Sequence, residues 1–476
     1  MQSKGRTKLF IENFLVYGVG SMMSKLIPLI MLPIIADLYP SSLYLGLNDL
    51  SQNFISFAAA LAVCGMYDAM FRLFFDNKDE VWQKKVCSTA FTFVSVMSVV
   101  MSVVLFIFRR PIASWYFDDV KYEGLVVLTI IGFLVNSTNQ IISAPTRIQN
   151  KRKIFLITNT LSPFISYLVA IPLVLQGHYV IAMPVATIMA FLTVETAFFV
   201  MNRKFFNPKN FDKSVLKSLF AVGLPLLPNF IIYWIYNSSA NIIISKMMGT
   251  EFTGIYGVGA RIGHVSNLIY TAFASGWLYF AYSTMNDDDQ VQMKSNIFEY
   301  MGAISFAATS ALMSVSYLGI DLLFSDVYID CHIIAPYLFL APLLLMLYQI
   351  IANQFTIVKK TYMNLLSLLI GAIVYIVLSL VLIKKIGMEG AAIATVAGYM
   401  VSIIMCLFWL RRMKLIVINK KVYINAAVIT GYFIVWRLLL HENIVLSAVS
   451  GIAVMGIYVL LYKNMIMDIL KKRRKK

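Results

Sequence analysis

Residues 365–383 read Leu365-Leu366-Ser367-Leu368-Leu369-Ile370-Gly371-Ala372-Ile373-Val374-Tyr375-Ile376-Val377-Leu378-Ser379-Leu380-Val381-Leu382-Ile383, a run with no charge, closed by Lys384-Lys385. A helix needs about 20 apolar residues to cross a bilayer core of about 30 Å, and this run is close to that length. Thr89 to Phe108 is a second such run, and Phe14 to Ala36 a third, interrupted by Lys25. Working outward, the same pattern predicts helices near 11–36, 43–71, 86–108, 122–144, 154–175, 179–201, 215–245, 254–283, 297–318, 335–358, 363–383, 388–410, 422–440 and 444–462. The composition agrees: 60% of residues are hydrophobic, 13% are charged, and the mean hydropathy is +0.78. A soluble domain holds roughly 45–50% apolar and about 25% charged residues. The fold class predicted is therefore an all-α polytopic membrane protein with about 14 transmembrane helices.

The formal charge is +17. Its distribution argues against nucleic acid as a partner, because the basic residues sit in short loops and in the tail Lys471-Lys472-Arg473-Arg474-Lys475-Lys476. They concentrate in the N-terminus, 72–85, 145–153, 202–217, 284–296, 359–362, 411–421 and the segment from Lys463, which alternate with loops on the other side. This bias predicts an even number of spans with both termini in the cytoplasm, in an inner (cytoplasmic) membrane. Arg109, Arg110, Lys121, Lys246, Lys384, Lys385 and Arg437 fall on the outer side, and Lys25 and Arg261 inside helices. Lys4, Arg6 and Lys8 precede an apolar run too long for a signal peptide and without an A-x-A site, so it reads as the first transmembrane helix.

The longest outer loops, 109–121 and 319–334, are too short for a folded catalytic domain, so no enzyme is expected. The four cysteines, Cys64, Cys87, Cys331 and Cys406, lack CxxC spacing and read as buried small hydrophobes. Asp330-Cys331-His332 are consecutive, so their side chains diverge and no metal is expected there. Asp287-Asp288-Asp289 reads as a solvated loop. No cofactor is expected.

A faint repeat divides the chain. The first helix runs into Pro40-Ser41-Ser42-Leu43-Tyr44-Leu45-Gly46, and the seventh into Thr250-Glu251-Phe252-Thr253-Gly254-Ile255-Tyr256. Each half opens with a helix holding two prolines, Pro28 and Pro33 in one, Pro225 and Pro228 in the other, a pattern found in transporters built from paired halves. The expected organisation is a bundle of six helices over 1–210, a second over 211–410, and two further helices with a basic tail over 411–476. Tyr-Gly-Val-Gly at Tyr17 and Tyr256 is out of register with this repeat and lies in apolar helices, so it is no dinucleotide motif.

Ionisable groups inside membrane helices are costly and commonly face a cavity. Here they are Lys25, Asp49, Asp68, Glu195, Arg261 and His264. Lys25 and Arg261 together suggest an anionic headgroup, since both cations pair with phosphate; buried ion pairing with Asp49 or Glu195, or snorkelling, is the alternative. Amides recur at helical spacing: Asn48 and Gln52; Asn136, Asn139 and Gln140; Asn237 and Asn241; Gln349 and Asn353. Each set shares a helix face. Such faces can line a wet cavity that hydrogen-bonds sugars, or simply bond neighbouring helices at about 0.6 kcal/mol each.

Several of these segments resemble the polysaccharide transporter family of the MATE/MOP flippase superfamily, the Wzx-type lipid-linked oligosaccharide flippases. The residues are Tyr17-Gly18-Val19-Gly20-Ser21 with Ser24-Lys25-Leu26 and Leu32-Pro33, Asn48-Asp49-Leu50, Met70-Phe71-Arg72 before a charged loop, Val222-Gly223-Leu224-Pro225-Leu226-Leu227-Pro228 and Gly254-Ile255-Tyr256. The resemblance spreads thinly over most of the chain. It implies two bundles around a central cavity that opens to either side in turn. It also implies an undecaprenyl-pyrophosphate-linked oligosaccharide as substrate, held at its pyrophosphate by Lys25 and Arg261. Transport would draw on an H+ or Na+ gradient, with membrane lipids and other polysaccharide assembly proteins as partners. Two departures stand out. Leu43-Tyr44 occupies a place where relatives often show Tyr-Gly, and Ala240-Asn241 one where they often carry Asp-Arg. A multidrug or cation antiporter of the same superfamily is the alternative, and would use Asp49, Asp68 or Glu195 instead.

Overall fold

The computed structural model describes residues 26–77, 79–149, 151–285, 287–463 and 467, and among them every regular element is a helix. Lys25 lies outside the described residues. Contacts divide the chain into two compact units, 1–257 and 258–476.

The first unit contains α1 (Leu26–Leu38), α2 (Leu43–Val63), α3 (Met66–Phe74), α4 (Glu80–Ile107), α5 (Arg109–Tyr116), α6 (Glu123–Ile148), α7 (Arg152–Leu175), α8 (Tyr179–Asn202), α9 (Lys213–Gly223), α10 (Leu227–Met248) and the start of α11 (Thr250–Gly263). α6 is central, touching α2, α4, α5, α7 and α8. One apolar core joins Met66, Met70 and Leu73 of α3 to Val86, Cys87 and Val94 of α4, Ile141 and Ile148 of α6, Phe198 of α8 and Leu219 of α9. A second joins Leu47 and Leu50 of α2 to Tyr116 of α5 and Leu125, Val126 and Ile130 of α6. Hydroxyl pairs stitch the helices together where they cross: Ser51 with Thr129 at 2.9 Å, and Ser98 with Ser137 at 2.7 Å. Such bonds take the place of water inside a bilayer.

The span predicted over 43–71 is broken. Cys64 and Gly65 adopt left-handed backbone, with φ of 50° and 72°, and the chain bends by 46° between α2 and α3. Gly65 is required there, because a Cβ would strike the carbonyl oxygen of Gly223 at the end of α9. The predicted seventh span, 215–245, is likewise α9 and α10 joined by a 3-10 turn over Leu224–Leu226, where Pro225 and Pro228 remove backbone donors.

The second unit holds the end of α11, α12 (Asn267–Ser283), α13 (Gln290–Leu323), α14 (Cys331–Ile357), α15 (Thr361–Ile386), α16 (Met388–Arg412), α17 (Lys420–Val435), whose last turn over Trp436–Leu440 is π-helical, and α18 (Ile444–Leu461). α14 is its axis: 83% of its most apolar stretch is buried, against 17% for α4 of the first unit, whose Val96, Val99, Val100 and Val103 are left for lipid. α15 and α16 form a tight hairpin through Gly387, and α18 lies against α13 where Gly451 meets Ser314.

Among the described residues ten helices are long and apolar enough to cross a membrane, or eleven if α2 and α3 count as one bent span. The other predicted spans fall on α1, on Thr160–Leu175 within α7, and on α12, which has 17 residues. Five of the basic residues that the charge rule leaves on the outer side are paired with acids. Arg109 and Arg110 share Glu123 at 2.6 and 3.1 Å, Lys121 meets Asp119 at 2.9 Å, Lys246 meets Asp118 at 2.5 Å, and Arg437 meets Glu389 at 2.8 Å.

Candidate functional site

Asn136, Gln140, Ser143 and Arg147 follow one another along α6 at steps of four, three and four residues, and Asn139 stands three after Asn136 and four before Ser143, which puts all five on one face. With Thr146 they face Thr158 and Ser162 of α7 and Phe191, Val194 and Phe198 of α8, around a cavity of about 250 Å³. The amide triplet singled out in the sequence is therefore gathered in one place inside the first unit, and four further polar groups of α6 and α7 and a cation join it. Gln140 Nε2 donates to Asn136 Oδ1 at 3.0 Å. Asn202 of α8 holds Thr146 from behind, its Nδ2 donating to Thr146 Oγ1 at 2.7 Å and to the Ile142 carbonyl at 3.1 Å. Arg147 is exposed and donates to the Tyr67 hydroxyl of α3 at 2.8 Å. Amides and hydroxyls both donate and accept, as a sugar's hydroxyls do, and Arg147 adds a fork for an anion. Phe191 and Phe198 supply apolar wall.

The remaining predicted residues of the first unit lie elsewhere. Glu195 of α8 is half-buried, and the Thr138 hydroxyl of α6 donates to the carbonyls of Leu134 and Val135 in its own helix. On α2, Asn48 and Asp49 are buried and Gln52 is half-buried; Asn48 Oδ1 has no hydrogen-bond partner among the described residues. Asn53, which sequence reasoning passed over, reaches α10: its carbonyl accepts from Trp234 Nε1 at 3.1 Å, and its Nδ2 donates to the Ser238 carbonyl at 3.5 Å. Asp68 is exposed on α3. Asn237 is exposed and bonds its own helix at Tyr233, and the Asn241 carbonyl accepts from Thr253 Oγ1 at 3.2 Å.

In the second unit Arg261 is half-buried near the end of α11, and His264 sits in the single turn leading to α12. Gly259 and Gly263 let α11 lie on Ile334, Ala335 and Leu338 of α14. Farther along α14, Gln349 Oε1 accepts from Tyr270 of α12 at 3.1 Å, and Asn353 is buried. Two buried charges were missed: Lys294, because α13 begins at Gln290, where the sequence suggested 297, and Glu299, which stands at the edge of the predicted span. Lys294, 3% exposed, donates to Gln290 and Gln354 at 3.1 and 3.3 Å, and Glu299 accepts from Asn419 at 2.7 Å.

A sequence profile described as polysaccharide biosynthesis protein matches residues 44–333, well over half of the chain. The chain belongs to this polysaccharide biosynthesis family. The matched region runs from α2 to the first turn of α14 and so includes the cavity-lining helices α6, α7 and α8. Solved structures give the fold relatives. The lipid II flippase MurJ, in an inward closed conformation, superposes with a TM-score of 0.72 at 15% identity, covering 95% of this chain and 100% of MurJ. An inward-facing multidrug resistance MATE family transporter of the MOP superfamily superposes at 0.62 and 16% identity, covering 84% and 94%. The fold of this family member is thus the one seen in MurJ and in the MATE transporter. No curated protein sequence matches the chain significantly.

Proposed function

We propose that the protein is a transporter of the Wzx kind, a flippase that moves undecaprenyl-pyrophosphate-linked oligosaccharide units across the bacterial cytoplasmic membrane for O-antigen, capsule or exopolysaccharide. The observation that carries this reading is the cavity of α6, α7 and α8: a set of amides and hydroxyls with one arginine, inside a chain built for lipid and belonging to a polysaccharide biosynthesis family. A glycan leaving water needs its hydroxyls bonded throughout, because each unsatisfied polar group costs several kcal/mol in hydrocarbon. Asn136, Asn139 and Gln140 meet that need. The pyrophosphate is met by cations, Arg147 beside the cavity and, in this proposal, Lys25 and Arg261. The lipid tail stays in the bilayer, no covalent bond is made, and an H+ or Na+ gradient drives the cycle.

A multidrug or cation antiporter is the second reading, and Asp49, buried on α2, favours it. Complementation of a flippase-deficient strain separates the two. As a flippase, Lys25→Ala, Arg261→Ala and Asn139→Leu each lower surface glycan about 10-fold, a loss of about 1.4 kcal/mol in transition-state binding, at unchanged protein level. As an antiporter, Asp49→Asn and Glu195→Gln are the sensitive variants, and the cations tolerate change.

A further inference from the structure

The second unit carries a line of hydrogen bonds that the transport reading does not use. Arg437, in the π-helical turn that ends α17, grips Glu389 of α16, Nε to Oε1 at 2.8 Å and Nη2 to Oε2 at 2.9 Å. Its remaining nitrogen, Nη1, lies 2.9 Å from His441 Nε2. His441 Nδ1 lies 3.0 Å from Nε2 of His332, in the first turn of α14, and His332 Nδ1 lies 2.6 Å from the Ile329 carbonyl oxygen. The two imidazoles are stacked, with centroids 5.3 Å apart and planes 24° from parallel.

Both ends of this line dictate the tautomers. Arginine nitrogen only donates, so His441 Nε2 must be bare. A carbonyl only accepts, so His332 Nδ1 carries its hydrogen. A neutral imidazole has one N–H. His441 therefore holds its hydrogen on Nδ1, His332 Nε2 is bare, and the central bond runs from His441 to His332. The directions imposed from the two ends agree only with both rings neutral. An added proton on His441 Nε2 would face the Arg437 N–H, and one on His332 Nε2 would face the His441 N–H. Arg437 cannot swing aside while two of its nitrogens are held by Glu389.

We propose that His332 and His441 form a proton-binding site, at which uptake of one proton undocks the end of α17 from the first turn of α14. The groups facing the pair set its balance. Arg437 opposes the proton; Glu389 behind it, Glu442 beside His441 and Asp330 beside His332 favour it. Tyr317 meets the His332 ring edge-on at 5.0 Å, and Tyr337 donates to Glu389 at 3.4 Å. Burial, and next Arg437, hold His441 below the ordinary imidazole range. Trp436 is fully buried and packs on both rings, 6.5 Å from His332 and 6.0 Å from His441. A π-helical turn at this point is a common mark of a functional position.

Trp436 is also the probe. Imidazolium quenches a neighbouring indole more strongly than imidazole does. The experiment titrates the full chain in lipid nanodiscs from about pH 8 to about pH 4.5, across the ordinary histidine value of ~6.5, and subtracts the emission of Trp436→Phe. The expected result is a single quenching step with its midpoint below that value, accompanied by roughly 10-fold faster amide exchange over residues 436–446, as local opening requires. Arg437→Gln, whose side-chain oxygen can accept from a protonated Nε2, moves the midpoint up by about one unit; His441→Gln abolishes the step. A wild type with no Trp436-dependent step, or with unchanged exchange through it, overturns the proposal whatever the variants do. So does a step that survives His441→Gln.

Discussion

Gly46 of α2 and Gly254 of α11 meet with no room for a side chain between them. A Cβ on Gly46 would strike the Thr250 carbonyl oxygen and stand 3.1 Å from Gly254 N; a Cβ on Gly254 would strike the Ser42 carbonyl oxygen and stand 3.0 Å from Gly46 N. Beside them Ser41 Oγ donates to Glu251 Oε1 at 2.9 Å. These are the two segments that the internal repeat marks as counterparts. Overfilling such a contact costs about 1–3 kcal/mol. Gly46→Ala and Gly254→Ala should each lower the melting temperature in detergent, and the double variant should cost less than the sum, because one displacement relieves both clashes. Strict additivity would contradict a shared contact.

Gly65 carries two penalties where Gly177 carries one. Both have positive φ, 72° and 84°, but a Cβ at Gly65 meets the Gly223 carbonyl and one at Gly177 meets nothing within 4 Å. Gly177→Ala should cost about 1 kcal/mol of backbone strain. Gly65→Ala should cost that plus about 1–3 kcal/mol of overpacking. Thermal unfolding of the pair measures the difference, and equal losses would remove the Gly65–Gly223 packing from the account.

Much of this was legible in the sequence, and the reasons for the remainder are specific. The run Leu365–Ile383 gave away α15 because lipid demands an uninterrupted apolar length. The amide triplet on α6 could be placed on one face from spacing alone. Its cavity could not, because Thr158 and Ser162 come from α7, and ordinary apolar spacing gives no sign of which face of α7 turns inward. Lys294 was hidden by a helix that starts a turn and more earlier than hydropathy shows. The pairing of Arg437 with Glu389, 48 residues away in sequence, lies beyond any local pattern.

Asp212 caps α9, its Oδ1 accepting from Ser214 Oγ at 2.6 Å and from the Ser214 and Val215 amides at 2.8 and 3.4 Å, with Lys85 at 3.3 Å from Oδ2. The Ser214 hydroxyl and then its amide hold the carboxyl down at about 2. The ordinary value is ~3.9, so the folded state binds this proton less readily than the unfolded one. The capping contribution is then complete above about pH 4 and disappears as pH falls toward about 2. Asp212→Asn, which keeps an acceptor, should flatten that part of the stability–pH curve and lie close to wild type below it. A parallel pH dependence in both proteins would exclude the cap as its source.

Lys294 is a buried ammonium that donates to two amide oxygens, those of Gln290 and Gln354. Replacing such a group with an apolar one of similar size is often neutral or stabilising, whereas removing an acceptor leaves it under-bonded at about 1–3 kcal/mol. Lys294→Met should melt at or above wild type, and Gln354→Leu below it. The reverse order would show that Lys294 is held by more than these amides.

The central claim is that lipid-linked glycan crosses the membrane through this chain with its sugars held by the α6 cavity. Reconstitution in liposomes with labelled undecaprenyl-pyrophosphate-linked oligosaccharide in one leaflet, followed by its appearance in the other under an imposed H+ or Na+ gradient, measures this directly. The wild type should move the lipid well above protein-free liposomes, and Asn139→Leu with Gln140→Leu should slow it by about 10-fold or more, the loss of about 1.4 kcal/mol expected when paired hydrogen bonds to a substrate are removed. Movement no faster than in protein-free liposomes, or an undiminished rate in the double variant, would contradict the account.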